Sequence, residues 1–415
     1  MQQPDLFEPL LAAYRQVQIH DEGISNTKLY ETLNVANGER SPVGRARQPH
    51  NLAHRRVRWH QQTMKAMGLI ERVPGQRGTW RLTPQAQQDP ELTPAPEGVA
   101  MVACSTNLGC AIWVRSETLI SQFTESIHAI ITSPPYPLRH ARAYGNPSEE
   151  AFVDFICGSI EPLLKNLVRG GCIALNLSND IFLARSPARS LYLEKLTIAM
   201  SQKLGLSLID RVVWASNKAP GPTYWASITR QQLCVGYEPV LVFCNDPVAC
   251  IADNRRVLQP HSPRHAQLLA RGGEQRTARY GDGAYKLRPG SFSNQTLGTI
   301  PKNVLNIPTT SKEVAQSRKL AKSLGLATHG ALMPVKLARL LVEFLTPPEA
   351  LVVDIFGGWL STALACEEAG RRWIAFEKMA QYVAGGSLRL QHCEGFMASF
   401  DLPGWNEAPF RTVGN

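Results

Sequence analysis

The sequence predicts an α/β fold, a mostly parallel sheet with covering helices, preceded by a small basic module. Three observations predict it. From Ser126 onward, short apolar runs alternate with amphipathic stretches of helical length. Between Ala350 and Glu377, an apolar run, a glycine turn, a helical stretch and a second apolar run follow one another. Between Arg40 and Arg81 stand ten basic residues against one acid, Glu71, in a chain of 415 residues whose whole net charge is +10. That charge points to a polyanionic partner. Apolar content of 44% with 19% charge marks an ordinary globular chain, long enough for a full domain plus a smaller module.

The N-terminal module is read as residues 1–88. "PLLAAYRQVQ" spaces its apolar residues for a helix, and "SNTKLYETLNV" opens a second helix on Ser25 as N-cap. "RRVRWHQQTMKAMGLI" is a third, offering Val57, Met64, Met67 and Leu69 to a core. "IERVPGQRGTWRLT" sets two short alternating runs around a Pro-Gly and Arg-Gly tip, as in a hairpin. Three helices and a basic hairpin predict a winged helix-turn-helix, with one helix for the major groove and the wing for the backbone. Arg55, Arg56 and Arg58 on the third helix, with Arg77 and Arg81 on the wing, are candidate DNA contacts. The same shape also serves as a protein–protein clamp. The Pro-rich, acidic stretch that follows predicts a linker at residues 89–100.

Residues 101–415 form the larger domain. "IHAIIT" reads as a buried strand, "SEEAFVDFICGSIEPLLKNL" as an amphipathic helix and "GGCIALNL" as a second strand. "SLYLEKLTIAMSQKLG" is a helix, and "LSLIDRVVW" and "PVLVFC" are further strands. Such βαβ order implies a parallel sheet with its ligands at the carboxyl ends of the strands. The first strand ends in Ser133-Pro134-Pro135-Tyr136. Two prolines make a rigid wall of carbonyl oxygens without N–H groups. A hydroxyl acceptor and an aromatic face flank that wall. These parts suit a site that grips an exocyclic amino group by its hydrogens and stacks on its ring.

In "ALVVDIFGGWLSTALACEEAGRRWIAFE", the run ends at Asp354, turns at Gly357 and Gly358, and resumes as a strand ending at Glu377. The turn brings backbone close to a ligand, and an acid at the end of the next strand takes ribose hydroxyls, so a nucleoside cofactor is the expected guest. No apolar stretch reaches about 18 residues and no secretory leader is evident, so a cytoplasmic protein without a membrane span is expected. Nine scattered cysteines without a CxxC pair read as reduced structural thiols, and no metal is expected.

With "TSPPYPLRHARAYGN", "PARSLY", "GTIPKNVLNI", "THGALMPVKL" and "LVVDIFGGWLSTALACEEAGRRWIAFEKMAQYVA" in this order, the chain resembles the β-class of amino-group DNA methyltransferases. It is similar in particular to their PvuII-type cytosine-N4 enzymes. The resemblance runs from about Ser126 to Leu390. It implies a Rossmann-like methyltransferase sheet in permuted order, S-adenosylmethionine as cofactor and double-stranded DNA as substrate, methylated at a flipped cytosine N4. Ser133, Pro134, Pro135 and Tyr136 would then hold the base. Asp354, Phe356, Gly357, Gly358, Ser361, Thr362 and Glu377 would hold the cofactor, with His329 and Pro334 on its other wall. The irregular, Arg-rich residues 246–327 correspond to the target-recognition region, with Arg255, Arg256, Arg276 and Arg279 as DNA contacts, joined by Arg139 after the Ser-Pro-Pro-Tyr strand. A cognate restriction endonuclease, a homodimer and a place at a bacterial or phage-type nucleoid are further expectations of this kind.

The sequence departs from that pattern twice. Trp359 and Leu360 stand where the family has small or polar residues, and are expected to narrow the cofactor pocket. Asn176 stands where the PvuII-type enzymes carry an acid that relays to the serine, with Asp180 as the nearby acid. Ser-Pro-Pro-Tyr leans to cytosine, but motif and target base correspond imperfectly, so adenine N6 is kept as a second target; Trp359, Leu360 and Asn176 keep a DNA-binding regulator with a decayed site as a third reading.

Overall fold

A computed structural model of the chain describes residues 10, 13–14, 23–35, 51–66, 70–83, 94–95, 100–115, 123–137, 147–183, 186–216, 224–324 and 326–398. The N-terminal unit has residues 10, 13 and 14 in helix, then β1 (Ile24–Ser25), α1 (Asn26–Thr32), α2 (Leu52–Ala66), β2 (Ile70–Arg72) and β3 (Thr79–Leu82). Ser25 Oγ accepts from Lys28 N at 3.3 Å, the expected cap. Asn51 Oδ1 caps α2 by accepting from Ala53 N at 2.9 Å. The three strands pair antiparallel in the order β1-β3-β2. Leu10, Tyr14, Ile24, Leu29, Val57, Met64, Ile70 and Trp80 bury a core of the unit's own. Strand β1 escaped the sequence reading because two residues carry no periodicity. Met67 and Leu69, expected in this core, lie outside the described residues.

The larger unit runs β4 (Ala100–Ser105), β5 (Gly109–Val114), β6 (Ile127–Thr132), α3 (Glu149–Ile160), β7 (Leu167–Asn176), α4 (Tyr192–Gln202), β8 (Ser207–Ala215) and β9 (Tyr237–Cys244). It continues with α5 (Pro263–Ala270), β10 (Ala278–Tyr280), β11 (Tyr285–Leu287), β12 (Val304–Asn306), α6 (Lys312–Ser323) and α7 (Val335–Leu345). Then come β13 (Leu351–Asp354), α8 (Ser361–Ala369), β14 (Arg372–Glu377), α9 (Ala380–Ser387) and β15 (Met397–Ala398). Ten strands form one sheet in the order β12-β8-β9-β7-β6-β13-β14-β5-β4-β15. Its centre, β7-β6-β13-β14-β5, is wholly parallel. Each face buries a core. Leu351 and Val353 point to the α3 and α4 side, with Phe152 and Leu196, while Val352 points to the α7 and α8 side, with Leu341 and Leu364.

Three features differ from the expectation. β9 runs antiparallel between β7 and β8. β4 and β5 pair antiparallel ahead of the first strand read from the sequence. Residues 246–327 are not uniformly irregular. They contain α5, the β10–β11 hairpin, an edge strand β12 parallel to β8, and α6. Among the described residues, no helix is long and apolar enough to cross a membrane.

Candidate active site

β6 passes to β7 on one side and β13 passes to β14 on the other, so the order of connection reverses between β6 and β13. Ligand crevices of open α/β sheets form at such a point, outside the carboxyl ends of the strands. A cavity of about 360 Å³ lies there. Ser133, Pro134, Pro135 and Tyr136 line it after β6, Phe356 and Gly358 after β13, Glu377 and Lys378 at the end of β14, and Val114 and Arg115 at the end of β5. Phe155, His329 and Tyr382 close its sides.

The two halves of the site are stitched together by Asp354. Its Oδ1 accepts from Thr132 Oγ1 at 2.6 Å, 222 residues away in sequence, and from Phe356 N at 3.1 Å. Its Oδ2 accepts from Thr362 Oγ1 at 2.7 Å. Burial pushes its carboxyl pKa up, against these three donors. Asp354 and Thr362 thus fix the strand ends and do not line the cavity. Ser361 and Pro334 are also off the lining: Ser361 Oγ accepts from Arg389 Nη1 at 3.0 Å, and the Pro334 carbonyl starts α7. Gly357 packs tightly, since a Cβ there would lie 3.2 Å from Ala375 Cβ.

The expected cofactor residues that do line the cavity are Phe356, Gly358, Glu377 and His329. Gly358 has φ +49°, a conformation that favours glycine, and a Cβ on it would come within 3.6 Å of His329 Nε2. Glu377 Oε2 accepts from Gly358 N and Oε1 from Met379 N, both at 2.7 Å. Burial raises the Glu377 pKa to about 7, partly offset by those two N–H groups. Each of its oxygens keeps a lone pair for a further donor.

Around Ser133 the structure shows a residue absent from the sequence reading. Ser133 Oγ and Tyr136 Oη are 3.0 Å apart, and Tyr136 Oη donates to Glu238 Oε2 at 3.1 Å. Asn176 Nδ2 sits behind all three, 3.4 Å from Ser133 Oγ, 3.1 Å from Tyr136 Oη and 3.2 Å from Glu238 Oε2. The carboxylate that accompanies Asn176 is therefore Glu238, at the start of antiparallel β9, and Asp180 is exposed outside this group. Asn176 pairs with Val240 across the β7–β9 ladder, which brings Glu238 alongside the strand end. Desolvation first, then the Glu238 charge, hold the Tyr136 phenol well above its ordinary pKa.

Residues 127–387 match the N6/N4 family of DNA methylases. The chain belongs to that family. The type II methyltransferase M.PvuII of Proteus hauseri is 31% identical over 289 residues, covering 69% of this chain and 85% of that one. The solved PvuII DNA methyltransferase, titled cytosine-N4-specific, superposes with a TM-score of 0.54 at 25% identity, over 73% of this chain and 93% of that one.

In this DNA methyltransferase the bulky pair after the glycine turn does not narrow the cavity, contrary to the expectation from sequence. Trp359 and Leu360 are fully buried and absent from the lining. They turn into the core against the glycine pair of α9, where a Cβ on Gly385 would lie 2.7 Å from Trp359 Nε1 and one on Gly386 2.8 Å from Leu360 Cγ. Leu360 accepts a left-handed φ of +55° to enter α8. Arg389, wholly buried, donates to the Trp359 carbonyl and pairs with Glu313 of α6 at 2.7 Å, holding the turn from behind. Gly385→Ala should therefore lower the unfolding free energy by about 1–3 kcal/mol, measured by denaturant titration, and Trp359→Leu in the same chain should recover part of the loss.

The candidate DNA contacts divide. Arg55, Arg58, Arg77 and Arg279 are exposed. Arg81 pairs with Glu71 at 2.8 Å, Arg255 with Asp253 at 2.7 Å and Arg276 with Glu274 at 2.9 Å. Arg256 donates to the carbonyls of Ile251 and Phe344, which makes it a tie between segments rather than an open cation. Arg139 and the Arg56 side chain lie outside the described residues. The thiols are less scattered than their spacing suggests: Cys172, Cys244 and Cys250 bring their sulfurs within 4.8 Å of one another, at the end of the sheet opposite the cavity. Burial pushes the Cys172 and Cys244 thiols up.

Proposed function

We propose that this methyltransferase transfers a methyl group from S-adenosylmethionine to the exocyclic N4 of cytosine in double-stranded DNA, with the base turned out of the helix into the cavity. The observation that carries the reading is Ser133. Ser133 and Pro134 line the cavity, where the two prolines bring no N–H to compete, and the serine oxygen and the Pro134 carbonyl would accept the hydrogens of an amino group. The amine lone pair is delocalised into the base ring, so drawing on those hydrogens sharpens it as a nucleophile. Tyr136 supplies the stacking face. The cytosine-N4-specific title of the PvuII enzyme supports the choice of base.

The cofactor residues fit a nucleoside sulfonium. Glu377 would accept from ribose hydroxyls, Phe356 would offer an apolar face to the nucleoside, and Gly358 would let the backbone approach. The bound cofactor supplies an activated methyl group, and the protein positions the amine for in-line displacement in a desolvated site. The open cavity beside the buried Trp359 speaks against a decayed site. Label should pass from tritiated S-adenosylmethionine to duplex DNA. Tight cofactor binding without any transfer would instead identify a DNA-binding regulator.

The N-terminal unit belongs to the same reading as a winged helix-turn-helix at residues 1–88. Helix, strand, helix, helix and hairpin in that order support it, with Arg55, Arg58 and Arg77 open to solvent. Each phosphate it neutralises adds about 0.9 to the slope of log affinity against log salt. A chain starting at Glu91, which keeps the buried Ala95 that accepts from Arg115 and donates to the Lys378 carbonyl, should bind DNA more weakly and with a shallower slope, yet still methylate at low salt. Equal slopes in salt titrations of the two forms would move the unit to a protein interface.

A further inference from the structure

We propose that Glu238 ends a proton relay, Ser133 to Tyr136 to Glu238, that removes the proton displaced from the target amine. The proposal rests on the methyl-transfer reading above. It takes the acid role from the end of β7, where this chain has Asn176, and moves it to the neighbouring antiparallel strand.

The hydrogen-bond directions support the relay. The Asn176 amide nitrogen can only donate, and it faces Ser133 Oγ, Tyr136 Oη and Glu238 Oε2. The reversed amide would set its oxygen against the Glu238 carboxylate at 3.2 Å. The Tyr136 hydrogen goes to Glu238, so Ser133 must donate to Tyr136. Ser133 Oγ then has one lone pair occupied by Asn176 and one left for the cavity. An amino hydrogen meets an acceptor there, backed by a carboxylate two bonds away. The buried Asn176 Oδ1 has no partner among the described residues, so this side chain is held here by what its nitrogen does.

The step balances without another reactant. The amine lone pair forms the new N–C bond as the C–S bond breaks and its electrons stay on sulfur. The N–H bond then breaks towards Ser133 Oγ, the Ser133 hydrogen passes to Tyr136 Oη, and the Tyr136 hydrogen passes to Glu238 Oε2. One proton ends on the carboxylate. Glu238 touches neither base nor cofactor, so it is a positioning residue that also takes the proton. Among the described residues the buried Tyr192 phenol also feels its charge, with a pKa raised by desolvation and then by Glu238.

The test is single-turnover methyl transfer by the full chain on duplex DNA at saturating S-adenosylmethionine, across pH. Glu238→Gln should slow transfer by about 100-fold and remove the acidic limb of the wild-type profile, with S-adenosylhomocysteine affinity unchanged. Adding Asn176→Asp, which returns a carboxylate to the end of β7 beside Ser133, should restore part of the rate and the acidic limb. A structural role predicts no such rescue. Wild-type rate and profile in Glu238→Gln overturn the relay alone, and so does slowing that Asn176→Asp leaves untouched. A wild-type chain that transfers no methyl group overturns the functional reading, and the relay with it.

Discussion

Ser133→Ala should reduce methyl transfer by about 100- to 1000-fold, the loss typical of removing one preorganised polar group at a reacting centre. Cofactor affinity should stay close to wild type. Ser133 lines the base side of the cavity, and none of its hydrogen bonds reaches Glu377, Gly358 or Phe356. The loss should appear in the single-turnover rate and not in calorimetry with S-adenosylhomocysteine. Tyr136→Phe is the companion variant, because it keeps the ring and removes only the hydroxyl between Ser133 and Glu238. Wild-type transfer by Ser133→Ala would remove this wall from the chemistry.

Cofactor binding should depend on pH through Glu377. Its carboxyl is raised to about 7 by burial, with Asp354 adding to the rise and Lys378 opposing it. Ribose hydroxyls donate to the ionised form, so binding must first remove a proton below that pH. Affinity for S-adenosylhomocysteine should therefore rise with pH up to about 7 and then level off. Below that point it should fall about tenfold per pH unit. Glu377→Gln should flatten the dependence and weaken binding at pH 8 by roughly 10- to 100-fold, the value of hydrogen bonds to a charged acceptor. A wild-type affinity independent of pH between 5 and 8 would take Glu377 out of contact with the ribose.

Local chemistry made much of this architecture legible. "IHAIIT" is a strand bounded as read, because an apolar run stops at prolines that cannot continue a ladder. The β13–turn–α8–β14 unit was equally plain from its glycines. Features that depend on distant pairing were hidden. Glu238 precedes a proline and looks like loop, and only the β7–β9 register sets it beside Asn176. Trp359 looked like an obstruction because its partner glycines come 26 residues later, on a helix whose packing no local pattern reveals. Arg256 and Arg81 read as open cations because composition counts charges and cannot see their partners.

The most direct measurement of the central claim is the identity of the methylated base. Duplex DNA incubated with the full chain and S-adenosylmethionine would be hydrolysed to nucleosides and analysed by mass spectrometry, with Ser133→Ala as control. The account predicts N4-methylcytosine, strongly reduced with Ser133→Ala. N6-methyladenine in its place would contradict the assignment of cytosine to the Ser133–Tyr136 wall.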